Sequence, residues 1–191
     1  MLSPASLAGE RGRLLFNERA TFPLAERVRG GGAPLGELFS FVSGLYFRGK
    51  LTYARAFGQA PEGLSGVQII SAGEGLRAPD ESVDLGRLRA WATVDIDAGN
   101  PAFTEPLVEH AEALVRAVGG QCRFVLLGSV ATDKYVRPLV KVFGDWLLFP
   151  SDFVGKGDMS RGSILLKAAA AGRELPYVPV EGARRSNARS T

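Results

Sequence analysis

The chain is poor in the side chains that most metal, thiol and triad chemistry requires. Its 191 residues include one cysteine, Cys122, and one histidine, His110. A lone cysteine excludes an internal disulfide and a cysteine zinc cluster, and its apolar surroundings indicate a buried, inert thiol. The histidine lies beside a helical apolar stripe and no Gly-x-Ser-x-Gly elbow accompanies it. We therefore predict a structural or exposed role for His110, and no metal site.

Long hydrophobic runs and a strong excess of one charge are also missing. No segment reaches the roughly eighteen consecutive apolar residues that span a bilayer, and the first thirty residues do not resemble a secretion signal. The 23 basic and 20 acidic residues give a net charge of +3, whereas nucleic-acid-binding proteins usually carry a concentrated basic stripe. We expect a cytoplasmic protein without membrane contact.

The remaining composition is that of a globular protein with many turns. Hydrophobic residues make up 46% of the chain, and there are 24 glycines and 11 prolines. Breaks at Pro4, Pro23 and a run of three glycines predict an irregular N-terminal arm over residues 1–33. Residues 34–180 are predicted to form a single α/β domain, and residues 181–191 a basic, flexible tail.

Strand and helix patterns alternate along the central part of the chain. Short apolar runs predict strands at 67–71, 123–127 and 145–149 and an edge piece at 175–180, whereas helical periodicity predicts helices at 36–57 (with a break at Gly44 or Gly49), 101–118, 133–143 and 164–171. This alternation predicts an α/β fold, a three-layer sandwich with a mainly parallel central sheet and helices on both faces.

Polar and ionisable residues collect after the predicted strands, in segments 71–76, 128–135 and 151–162. In a parallel sheet these carboxyl ends share one edge, where ligands bind. The sequence therefore predicts one polar site at that edge.

The segment after the second strand has the composition of an anion-binding turn. Gly128 permits a tight turn, Ser129 and Thr132 offer hydroxyls, Lys134 adds a positive charge, and the following helix presents free N–H groups. An ordinary strand-to-helix turn needs the same residues, with Thr132 or Asp133 as the helix cap. Both interpretations stay open at this point.

The segment 151–162 is predicted to form a glycine-rich loop that leads into the helix at 164–171, and its part over 155–162 carries more charge. Lys156, Asp158, Ser160 and Arg161 alternate with glycines, so that backbone could approach a ligand closely. Arg161 suits a bidentate grip on phosphate or carboxylate, and Asp158 suits orientation of a water or acceptance from a ribose hydroxyl. The alternative is that Asp158 or Ser160 caps the next helix while the basic side chains are solvated.

A third cluster interleaves basic and aromatic residues in the predicted helix 36–57. Tyr46, Arg48, Lys50 and Tyr53 could clamp a phosphate and stack a base. Helical spacing places Tyr46, Lys50 and Tyr53 on one face, where aromatic residues usually belong to the core. Arg48 is the member least explained by packing, and we add it to the phosphate-binding candidates.

Parts of the chain resemble two known groups. The residues Leu45-Tyr46-Phe47, followed by the turn over 69–76, are similar to small bacterial YaaA-like proteins, although the cysteine and lysine pattern that opens that group is absent. The segment 125–129 resembles the strand-and-glycine segment of the uracil-DNA-glycosylase-like superfamily. No histidine–proline–serine motif follows Pro150, so the glycosylase histidine has no counterpart. The resemblance implies a three-layer α/β domain associated with nucleotides or nucleic acid.

We therefore predict a protein that binds a nucleotide, a nucleobase or a nucleic-acid end. Lys156, Arg161 and Arg48 would hold phosphate, and Asp158 or Asp133 would act as general base or orient water. Hydrolysis or transfer at a glycosidic or phosphate bond is the reaction class indicated, with no cofactor or oligomeric state identified. The alternative is a non-catalytic accessory or interaction subunit that uses the same loops as an interface.

Overall fold

A computed structural model describes residues 1–120 and 122–181 of the chain. Beyond its first residue, the tail predicted over 181–191 lies outside the described residues. The described helices are α1 Glu10–Phe16, α2 Pro23–Gly30, α3 Leu35–Ser43, α4 Leu45–Phe57, α5 Leu85–Ala92, α6 Pro101–Val118, α7 Val136–Phe143 and α8 Asp158–Ala170. The described strands are β1 Ala33–Pro34, β2 Ile69–Ile70, β3 Leu76–Arg77, β4 Ser82–Val83, β5 Phe124–Val125, β6 Leu147–Pro150 and β7 Tyr177–Pro179. Within these ranges no helix is both long and apolar enough to cross a membrane.

The prediction of a three-layer sandwich around a mainly parallel central sheet is wrong. About 51% of the described residues are helical, and the described strands form small sheets of two or three strands. The pairs β1–β4, β2–β3 and β6–β7 are antiparallel, and β5–β6 is parallel. Runs that read as five-residue strands in the sequence form only two to four residues of regular strand.

Local backbone chemistry explains why the strands are short. Leu2 lies between the β2 and β5 segments and forms single parallel bridges to Ile69 and Leu127. Pro4 follows almost at once and has no N–H with which to continue a ladder. On the other side the chain leaves β2 in a tight turn over 71–75, where the N–H of residue 71 bonds to the carbonyl of residue 75. Pairing therefore ends after one or two residues.

Helix boundaries follow local sequence signals more closely. The helix predicted over 36–57 is present as α3 and α4, which are separated at Gly44 with φ of 62°. Asn100 caps α6 by accepting a hydrogen bond from the N–H of Ala102, and Pro101 is the first helical residue. Gly119, with φ of 56°, ends the same helix in the left-handed conformation.

Helix α8 begins earlier than the sequence suggested. The prediction of a glycine-rich loop through residue 162 is wrong, because the helix starts at Asp158. Gly162 lies inside it and serves a close crossing with α4: a Cβ at Gly162 would lie 3.0 Å from the Cα of Tyr46, and one at Gly49 would lie 2.7 Å from the Gly162 carbonyl oxygen. The glycines therefore serve helix packing here, not ligand approach.

Helix α4 separates two hydrophobic clusters. Tyr46 and Tyr53 belong to a cluster with residues of α6, α7, α8 and β6. Phe47 and Leu51 belong to a second cluster with residues of α1, α2 and α3. Side chains on α4 are thus buried on more than one face, and its Lys50 is buried with them.

The α4–α8 crossing gives a stability prediction. Gly49→Ala places a Cβ against backbone of α8, which cannot yield as a side-chain tip can, so we expect a loss of roughly 1–3 kcal/mol in the free energy of unfolding. The higher helix propensity of alanine offsets at most about 1 kcal/mol of that loss. Urea denaturation measures the change in the free energy of unfolding. Gly30→Ala is the matched control, because a Cβ there meets nothing within 4 Å. Equal stability of the two variants would contradict the close packing of α4 against α8 at Gly49.

Candidate functional site

A lysine lies on the buried face of α4. Lys50 is 1% exposed, and its Nζ donates to the carbonyl oxygen of Ser3 at 2.7 Å and to the Ser3 hydroxyl at 2.8 Å. The same nitrogen lies 4.7 Å from the ring centroids of Tyr46 and Phe47. Burial lowers the pKa of Lys50 to about 7, although the charge of Asp158 opposes the shift. Among the described residues, Lys50 forms no ion pair with a carboxylate.

Helix spacing and the N-terminal segment together explain this contact. Tyr46 and Phe47 precede Lys50 by four and three residues, so their rings flank its side chain on one helical face. Ser3 follows Leu2, whose backbone is fixed between Ile69 and Leu127. The segment therefore presents two oxygen acceptors of Ser3 to the buried ammonium group.

A hydroxyl group without a partner lies next to this lysine. Tyr46 is 7% exposed, and its hydroxyl oxygen is buried without a hydrogen bond. Burial raises the pKa of this phenol, and the nearby Arg161 guanidinium acts in the opposite direction. Arg161 is close enough for that effect, but no hydrogen bond joins it to the phenol among the described residues. The Tyr46 hydroxyl is therefore a donor that the described residues leave unsatisfied, at a cost of about 1–3 kcal/mol.

Arg161 is fixed on the first turn of α8. Its side chain is 12% exposed and its Nη1 lies 3.7 Å from Asp158 Oδ1. The Nε donates to the carbonyl oxygen of Phe153 at 3.4 Å, and the guanidinium carbon lies 5.7 Å from the centroid of that ring. Asp158 is 70% exposed, so this ion pair contributes little. Arg161 is thus a largely buried cation held mainly by an aromatic ring and one carbonyl.

The turn after β5 closes the arrangement. The Tyr135 hydroxyl donates to the carbonyl oxygen of Ser129 at 2.8 Å. Burial raises the pKa of Tyr135, and the Ser3 hydroxyl and the Arg161 charge oppose the rise. A Cβ at Gly128 would lie 2.7 Å from the Ser3 Cβ and 2.9 Å from the Tyr135 hydroxyl oxygen. Only glycine fits there, so this turn is pressed against Ser3.

We call this group the Lys50 cluster. Its members are Ser3, Tyr46, Lys50, Tyr135, Asp158 and Arg161. They come from the N-terminal segment, α4, the turn before α7 and the start of α8.

The predicted site residues are distributed unevenly around the cluster. Asp158 and Arg161 belong to it, and Ser129 joins through its carbonyl oxygen while its hydroxyl accepts from the Ala131 N–H at 3.3 Å. The other predicted residues are exposed to solvent: Thr132, Asp133, Lys134, Lys156, Ser160 and Arg48. Of these, Lys156 and Ser160 flank the start of α8, and the Asp133 carbonyl oxygen accepts from the N–H of Arg137.

The predicted set omitted four members of the cluster. Lys50 and Tyr46 carry a sequence signal, a basic residue in register with aromatic residues on a helical face, but such a pattern more often indicates core packing. Ser3 and Tyr135 carried none, because their place depends on contacts between segments distant in the chain.

The electrostatics of the cluster favour a negatively charged guest. Two largely buried cations, Lys50 and Arg161, face one exposed carboxylate, Asp158. Gly157 precedes α8 and provides no side-chain cap for the N–H groups of its first turn, and a helix N-terminus favours negative charge. No three potential metal ligands converge in the described part of the chain.

Two cavities in the described part of the chain lie away from the cluster. One of about 620 Å³ is lined by Tyr53, Phe57, Arg123 and Glu174, among others, and an apolar groove of about 530 Å³ lies beside Trp146. None of the predicted site residues or members of the Lys50 cluster lines either one. We place the charged site at the cluster because a buried lysine without a carboxylate partner and a largely buried arginine with one long ion pair are costly to maintain, and because perturbed pKa values collect at functional sites.

Comparisons with models of known protein families, with curated proteins and with solved structures find no match for this chain. The resemblance to YaaA-like and uracil-DNA-glycosylase-like proteins therefore stays a prediction.

The buried lysine predicts a pH dependence of stability. The pKa of Lys50 is about 7 in the folded protein against an ordinary value of 10.5, so between these values the unfolded chain binds more protons and the free energy of unfolding rises with pH. Relative to Lys50→Met, we expect the wild-type protein to gain up to about 1.4 kcal/mol per pH unit between about pH 7.5 and 9.5. Below about pH 6, where Lys50 is protonated in both states, the difference should be constant.

Urea denaturation at several pH values measures this difference. The other charged groups are common to both proteins, apart from the effect of the Lys50 charge on the pKa of the buried Met1 ammonium group. The exposed lysine variant Lys134→Met should reproduce the wild-type profile. Parallel profiles for wild type and Lys50→Met would show that the lysine keeps its ordinary pKa.

Proposed function

We propose that the protein binds a nucleotide, or another small molecule with a terminal phosphate, at the Lys50 cluster. The observation that carries this proposal is the pair of largely buried cations, Lys50 and Arg161, beside the unpartnered Tyr46 hydroxyl. Burying a charge costs several kcal/mol unless an opposite charge or hydrogen bonds compensate it. A phosphate group brings negative charge and several acceptor oxygens, so it compensates the charge of both cations and accepts a hydrogen bond from the hydroxyl.

The contacts have a defined division of roles. Arg161 is the cation at the surface of the cluster and makes the direct contact with phosphate, supported by the free N–H groups at the start of α8. Lys50 is a positioning residue, because its own hydrogen bonds go to Ser3 while its charge raises the local positive potential. The exposed Lys156 and Ser160 flank the same helix end and are placed to contact the rest of the ligand.

Burial favours a small ligand over a nucleic-acid backbone. Phosphates of a duplex or a strand are contacted by exposed basic side chains spread along a groove. Here the two defining cations are largely buried and the chain has a net charge of only +3. A single-stranded oligonucleotide is therefore the comparison ligand in the test.

The proposed reaction, if the protein is an enzyme, is hydrolysis or transfer at the phosphate or glycosidic bond of this ligand. Asp158 is the carboxylate in the cluster that could orient a water beside the bound phosphate, and Asp133 is the second candidate. The exposure of Thr132, Lys134 and Lys156, and the position of the cavities away from the cluster, favour the alternative of a non-catalytic binding subunit. Product formation from a bound nucleotide separates the two.

Arg161→Gln tests the binding site. ADP should raise the melting temperature of the wild-type protein, because a ligand that binds only the folded state adds about 2.7 kcal/mol at a hundredfold excess over Kd. In Arg161→Gln we expect the affinity to fall by roughly tenfold or more, since charge-assisted hydrogen bonds to phosphate contribute about 1.5–3 kcal/mol. Thermal shift and titration calorimetry measure both quantities.

The controls isolate phosphate recognition. Arg116→Gln changes an exposed arginine on α6 and should bind ADP as the wild type does. Adenosine should give no shift and pyrophosphate should give one. A shift with adenosine equal to that with ADP, a preference for oligonucleotide, or unchanged ADP binding by Arg161→Gln would each exclude the proposal.

A further inference from the structure

A second recess lies at the opposite end of the same backbone segments. The cavity of about 620 Å³ is lined by Met1, Val125 and Leu148, among others, whereas the Lys50 cluster forms where these segments end, at Ser3 and after β5. The cavity and the cluster share no residue. Its volume lies within the range of about 300–1,000 Å³ that small-molecule sites occupy.

One wall of this cavity is fixed by a glycine pair. Gly58 and Gly66 bracket the loop that lines it, and their backbones are in direct contact. A Cβ at Gly58 would lie 2.9 Å from the Gly66 carbonyl oxygen, and one at Gly66 would lie 2.5 Å from the Gly58 carbonyl oxygen. The neck of the loop is therefore closed by backbone alone, and the wall exists before any ligand binds.

A chain of hydrogen bonds fixes the other wall. The hydroxyls of Tyr53 and Tyr177 lie 2.5 Å apart, and the Tyr53 hydroxyl accepts from the N–H of Leu175 at 2.8 Å. The Tyr177 hydroxyl also lies 2.9 Å from Glu174 Oε1, to which it donates. Burial raises the pKa of Tyr177, so this donor stays protonated and orients the carboxylate.

The charged side chains that line the cavity are one cation and one anion, Arg123 and Glu174. They do not pair with each other, and neither forms an ion pair elsewhere in the described residues. The same cavity is also lined by apolar and aromatic side chains that include Phe57 and Leu148. A phosphate is a poor guest, because Glu174 repels it and only one arginine side chain attracts it.

We infer that this cavity binds a zwitterionic ligand of the amino-acid or short-peptide class. The ligand carboxylate pairs with Arg123, its ammonium group pairs with Glu174, and an apolar side chain packs against Phe57. A ligand with only one of the two charges leaves either Arg123 or Glu174 without an opposite charge. The volume accommodates a large side chain or a second residue.

Titration calorimetry of the purified protein tests this with four defined probes. L-phenylalanine and the dipeptide Leu-Phe carry both charges, 3-phenylpropionate lacks the ammonium group and phenethylamine lacks the carboxylate. We expect a zwitterion to bind at least about tenfold more tightly than either singly charged analogue. Binding of the dipeptide alone identifies a peptide site, and binding of phenylalanine identifies an amino-acid site. Absence of heat with both zwitterions, or equal affinity for all probes, would overturn the inference.

Two variants assign the charges. Arg123→Gln should remove the preference for phenylalanine over phenethylamine, and Glu174→Gln the preference over 3-phenylpropionate. Glu112→Gln, an exposed change on α6, should leave the affinities as in wild type. Unchanged preferences in both cavity variants would place the binding elsewhere. ADP binding should persist in both variants, so this site and the phosphate site fail or succeed independently.

Discussion

The hydrogen bonds from the buried Lys50 ammonium group to Ser3 are the interaction on which the site depends. A buried cation needs acceptors, and without a carboxylate in contact it takes them from the backbone and hydroxyl of one residue. That requirement draws the N-terminal segment onto α4. Gly128 then lets the turn after β5 approach Ser3, so three segments distant in the chain meet at one point. Arg161, whose ion pair with the exposed Asp158 is long, and the Tyr46 hydroxyl, which has no hydrogen-bond partner among the described residues, lie in the same region.

Helix α4 organises both proposed sites from one face. Tyr46, Lys50, Tyr53 and Phe57 follow one another at intervals of four, three and four residues, which places them in a row along the helix. The first two belong to the Lys50 cluster, and the last two line the cavity. Because Gly49 allows α8 to cross this helix closely, the row is covered by α8 and the segment that follows it. One helix thus separates a positively charged site from a recess of mixed charge.

Sequence patterns anticipated what depends on near neighbours and failed where distant partners decide. The ends of α6 follow from Asn100, Pro101 and Gly119, since capping and left-handed glycine are local effects. The prediction of a central parallel sheet was wrong because an apolar run in the sequence does not show which strand it pairs with. In addition, Pro4 ends the backbone pairing that begins at Leu2. The prediction of a glycine-rich loop through residue 162 was wrong because Gly162 lies inside α8, where it allows α4 to pack closely. Asp158 and Arg161 were in the predicted set, whereas the role of Ser3 depends entirely on tertiary contacts.

The pKa of the Lys50 side chain tests the central claim most directly, and NMR of the labelled ε-carbon and ε-nitrogen measures it with and without ADP. We predict a pKa near 7 in the free protein, because burial disfavours the charged form. We predict a higher pKa when ADP is bound, since a nearby phosphate stabilises the ammonium group. A pKa near the ordinary 10.5 in the free protein would contradict the burial of Lys50. An unchanged pKa at saturating ADP would contradict phosphate binding at the Lys50 cluster.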